Sequence, residues 1–124
     1  MISYPVYKVI HLVGIMMVFL SLGGITMHVI NGGSKAHAWK KPLMITHGIG
    51  LLFSLVGGFG LLARIGVMHG TMPAWAILKL EIWGVFAIAV SLITRKQTIA
   101  KPMWVLILLL GGFAAYLAGS KPMF

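Results

Sequence analysis

The chain has no cysteine, no aspartate and one glutamate, Glu81, in 124 residues. Without thiols there are no disulfides, no thiolate metal site and no thiol chemistry. Charged residues make up 9% of the sequence, against about 25% in an ordinary soluble domain. With 60% hydrophobic residues and a mean hydropathy of +1.02, the composition excludes a typical soluble domain. No phosphate-binding loop, nucleophilic triad or metal motif of the soluble type is present, nor any internal repeat or low-complexity segment. The net charge of +9 comes largely from Lys and Arg in short connections. No basic run with interleaved aromatics lies outside those connections, which argues against a nucleic-acid partner.

What the sequence has instead is four long apolar runs. They predict an all-α protein, one domain over 1–124, folded as an integral membrane four-helix antiparallel up-down bundle. The spans fall at about 5–30, 42–65, 73–94 and 102–119. Pro5, Pro42, Pro73 and Pro102 stand at the four starts, where a missing N–H is not needed. The first run is too long for a signal peptide and no A-x-A-like site follows it, so it is expected to be retained. Lys35, Lys40 and Lys41 lie between the first two spans, and Arg95, Lys96 and Lys101 between the last two; the other side has Lys8, Arg64 and Lys121. Six against three places both termini outside, in the periplasm of a bacterial inner (cytoplasmic) membrane. Trp39 is an expected interfacial anchor, and the anionic lipid of the bilayer is the expected partner of the basic loops.

Polar groups inside the spans are few. A charge at the centre of a span costs roughly 2.5–3.5 kcal/mol, so Lys79 and Glu81 need a partner or a task. Two residues apart, they point about 200° away from each other on a helix and cannot pair within it. Lys79 is expected inside the bundle, with Glu81 facing another helix or a protonatable pathway. A neutral Glu81 bonded to a backbone carbonyl is the plainer alternative. Among the five histidines, His37 and His69 fall in loops and read as solvated. His11 follows Pro5 by six residues and Lys79 follows Pro73 by six, which puts both about 9 Å below the same outer end. His28 and His47 are expected to meet near the opposite end, as a second polar pole.

Gly50, Ser54 and Gly58 repeat every four residues, as do Gly111, Ala115 and Gly119. Such small faces let helices pack closely in lipid, or make room for a flat cofactor, with His47 at the head of the first. Imidazoles from facing helices of a bundle are common haem ligands, and a buried, neutral lysine amine is a further candidate. The nine methionines suit a macrocycle but are also ordinary span filler. Each histidine could equally satisfy itself by hydrogen-bonding a neighbouring helix.

The segment Tyr7-Lys8-Val9-Ile10-His11 resembles the first helix of the HemJ-type protoporphyrinogen oxidases, and Trp75-x-x-x-Lys79 resembles that family's third-helix motif. The resemblance implies a functional His11 and Lys79 pair associated with b-type haem. Where the family's first helix ends in a proline-arginine segment, this chain has Ile25-Thr26-Met27-His28. The lost arginine bears on oxidation of a carboxylated porphyrinogen, while the haem inference does not depend on it. The SirB-like small membrane proteins share the layout.

The expected function is that of a haem b membrane redox protein, in electron transfer or porphyrinogen oxidation. His11, Lys79, His28 and His47 are the candidate cofactor residues, the His28–His47 pole either completing one site or holding a second haem; His11 and His47 are the candidates for the iron, and a quinone or porphyrin is the substrate class. The alternative is a cofactor-free transporter or proton-coupled subunit built on Lys79 and Glu81. A purely structural module that oligomerises through its small-residue faces is a third reading.

Overall fold

The structure is a computed structural model that describes residues 4–33, 38–64 and 74–120. Four α-helices make up almost all of it, with no strand among the described residues: α1 (Tyr4–Ile30), α2 (Lys40–Arg64), α3 (Ala74–Arg95) and α4 (Ala100–Ser120). A short 3-10 turn, Gln97–Ile99, joins the last two. All four helices are long and apolar enough to cross a membrane. The expected loops at 66–72, with His69, and at His37 lie outside the described residues, as do Ile65 and Pro73.

The helix ends follow from local chemistry. Pro42 and Pro102 each sit at the third helical position rather than the first, which costs nothing because the first four N–H groups of a helix have no internal partner. α1 closes with a left-handed residue, Gly32 at φ +79°. Gly33 N donates to His28 O at 2.8 Å and Gly32 N to Val29 O at 2.9 Å, the pair of bonds that terminates helices at a glycine.

α1 is the hub: it touches the other three helices, α3 and α4 pack on each other, and α2 meets α3 over only a short stretch. The buried core collects Leu22 and Ile25 of α1, Phe86, Ala89 and Ile93 of α3, and Met103 and Ile107 of α4. Phe19 of α1 meets Phe86 of α3 edge to face, ring centres 5.3 Å apart. Large apolar side chains such as Leu20, Leu52, Ile88 and Leu108 point outward. An aqueous surface would not carry so many, and a hydrocarbon surround would.

α1 and α2 approach until their backbones touch. A Cβ on Gly14 would collide with Ser54 N and lie 2.8 Å from Gly50 O; one on Gly50 would lie 2.9 Å from Gly14 O and from Val18 N. One on Gly57 would sit 2.5 Å from His11 N, and one on Gly60 inside the Tyr7 ring. These contacts fix an antiparallel register with Gly14 opposite Gly50 and Ser54, His11 opposite Gly57, and Tyr7 opposite Gly60.

Candidate functional site

His11 sits at the α1–α2 contact, half-buried, its backbone against Gly57. Its Nδ1–H donates to Ser54 O at 2.7 Å. A carbonyl only accepts, so this bond leaves Nε2 as the nitrogen with the lone pair, the form in which an imidazole ligates a metal. Lys79, half-buried on α3, lies within electrostatic range of the same ring. The structure therefore brings these two predicted residues to one end of the helices.

One turn further along α3, Trp83 Nε1 donates to Leu51 O at 3.0 Å, and Ser54 Oγ donates to the same carbonyl at 3.0 Å. His11, Ser54, Leu51 and Trp83 thus form a polar belt that crosses α1, α2 and α3 beside Lys79. Sequence reasoning passed over Trp83 as part of this belt. The available signal was an indole N–H deep inside an apolar run, a donor that must find an acceptor there.

His47 stands apart. It is 6% exposed and faces Ser21, whose Oγ bonds to the carbonyls of Met17 (2.8 Å) and Val18 (3.0 Å). Ser21 Oγ and His47 Nδ1 are hydrogen-bonded at 3.3 Å. Nε2 is buried and has no hydrogen-bond partner. The carbonyls of Ala87 and Phe86 face the ring without meeting Nε2 in bonding geometry. His11 and Ser21 are ten residues apart on α1, about 15 Å along the axis. His11 and His47 therefore cannot share one iron.

Nor do His28 and His47 meet. The glycine register sets His47 level with Ser21, while His28 lies seven residues beyond it, about 10 Å further along, with its ring against Gly33. The expected second pole is thus two separate positions. The displacement arises because α2 begins at Lys40, earlier than Pro42 suggested, and because the glycines, not the span ends, set the register.

The small faces resolve differently. On α2, Gly50 is closed by Gly14 and Val18, Ser54 lies under Gly14, and the His11 ring lies 3.3 Å from where a Gly58 Cβ would be. That face packs on α1. On α4, Gly111 lies under the Phe19 ring while Ala115 is exposed.

Glu81 does not face another helix. It is exposed on the outer flank of α3, because Lys79, two residues before it, takes the inward side. Among the described residues no group of three metal-ligating side chains comes together. No protein-family model, curated protein or solved structure matches the chain.

Proposed function

We propose that this chain is an integral protein of a bacterial inner membrane, an antiparallel up-down four-helix bundle with periplasmic termini, that binds b-type haem and acts in redox chemistry. The single observation that carries the haem reading is the His11 imidazole, held by Ser54 O in the tautomer that presents Nε2, with Lys79 within electrostatic range. The donor set fits the group: one oriented imidazole, and one lysine from a facing helix. Haem bound there supplies reversible one-electron iron chemistry. The protein's own part is to fix the ring through Ser54, to keep the site among apolar helices and to bring the Lys79 amine to the same end of the bundle. Electron transfer, or oxidation of a porphyrinogen as the HemJ resemblance implies, are the two activities such a site serves, with a quinone or porphyrin as the exchanging molecule.

The deciding experiment is an absorption spectrum of detergent-purified protein, oxidised and dithionite-reduced, beside His11→Ala and His47→Ala. The expected result is a Soret band and a reduced α-band in the wild type, lost in His11→Ala and kept in His47→Ala. Loss only in His47→Ala moves the site to the other histidine, and a colourless wild type after haem supplementation ends the haem reading. Because the chain has no cysteine, Gln97→Cys alone tests orientation: an impermeant maleimide should label it only after the cells are broken.

A further inference from the structure

α2 and α3 touch little, and the Trp83–Leu51 bond joins them well away from the start of α2. Between the start of α2 and the end of α3 a cleft of about 180 Å³ remains, with α1 as its floor. Its chemistry changes with depth. Ile25, Val29 and Val90 are buried at the bottom, whereas Lys40 and Gln97 are exposed at the rim, with His28 in the wall.

The rim has a cation and no counter-charge. The chain's one acidic side chain, Glu81, lies on α3 nine residues before the first α3 residue in the cleft, Val90. Arg95, Lys96 and Lys41 add positive charge at the same end of the helices. Any acidic group that meets this rim therefore comes from outside the chain's side chains. A free inorganic anion would satisfy the rim and leave the apolar floor open, whereas an anion attached to a hydrocarbon chain satisfies both. Basic pockets between membrane helices take acidic lipid headgroups in this way.

We propose that the α2–α3 cleft is a binding site for one anionic phospholipid, its phosphate at Lys40 and Gln97 and an acyl chain over the Ile25–Val29 floor. The inference rests on the membrane placement and is independent of haem. Purified full-length protein is placed in phosphatidylcholine nanodiscs and titrated with phosphatidylglycerol, with lipid retention per chain read by native mass spectrometry. One phosphatidylglycerol per chain is expected to be held in preference to phosphatidylcholine. Lys40→Ala should weaken it about fivefold, the effect of one basic residue at an anionic surface. Lys96→Ala, basic and exposed at the same end but outside the lining, should leave it unchanged. Met44→Trp, which fills the cleft without altering charge, should displace the lipid; if that variant does not fold, the two lysine variants decide.

Equal retention of both lipids overturns the proposal. So does an equal loss in Lys96→Ala, which would mark diffuse surface charge. Full competition by inorganic phosphate would make this a free-anion site instead, and equally ends the lipid assignment. Resistance of the wild type to alkaline carbonate extraction reports membrane insertion separately, so a failed lipid site and a failed membrane reading give different results.

Discussion

The two halves of this molecule are packed by different means. Between α1 and α2, glycines bring the backbones into direct contact and two histidines are bonded across or along the seam, His11 to Ser54 O and His47 to Ser21 Oγ. Between α2 and α3 there is the Trp83–Leu51 bond, a short stretch of contact and an open cleft. In hydrocarbon, apolar side chains gain little by leaving lipid for a neighbouring helix, so association depends on close packing and on polar groups that bond between helices. The α1–α2 seam has both. The α2–α3 side, lined by larger residues, has little of either, and that is where the molecule has space for a ligand.

The sharpest way to break this contrast is at Gly14. Its Cβ would meet backbone atoms of Ser54 and Gly50, which cannot swing aside. Gly14→Ala should cost about 2–3 kcal/mol by overpacking, measured by unfolding in mixed micelles. Gly111→Ala, whose Cβ meets only the end of the Phe19 ring, should cost less than about 1 kcal/mol because that ring can shift. Equal costs would mean the seam is not special.

Ser21→Ala comes next. It removes the hydrogen-bond partner of His47 Nδ1 and leaves both nitrogens of a buried ring without a side-chain partner, at a cost of about 1–3 kcal/mol. The same unfolding assay reads it, and Ser21→Thr, which keeps a hydroxyl, should recover part of the loss.

On the looser side, Trp83→Phe should cost only about 0.6 kcal/mol, the average for a hydrogen bond between membrane helices. Leu51 O keeps its bond from Ser54 Oγ, so no acceptor is stranded. A loss of 2 kcal/mol or more in that assay would show that α2 and α3 are coupled more tightly than the contacts indicate. An effect of opposite sign is expected at Gly112, where an added Cβ meets nothing within 4 Å. Gly112→Ala should stay within about 1 kcal/mol of the wild type, on the stabilising side, because alanine is the better helix former.

The sequence by itself determined the class of protein: four apolar runs, punctuated by proline and by Asn31-Gly32-Gly33, reappear as four helices long enough to cross a membrane. Those signals are local, since run length and a positive φ need no knowledge of what lies opposite. That His11 and Lys79 share one end of the bundle was legible too, because helix rise converts equal spacing from two prolines into similar depth. The tertiary structure alone decided the rest. The level of His47 depends on how far α2 slides along α1, and that is set by which glycines interlock, a property of two surfaces together. The outward turn of Glu81 depends on α3 rotating its Lys79, Trp83 and Phe86 stripe toward α1 and α2. The cleft at Lys40 exists only because α2 and α3 part there, and no spacing along one chain segment reports the distance between two others.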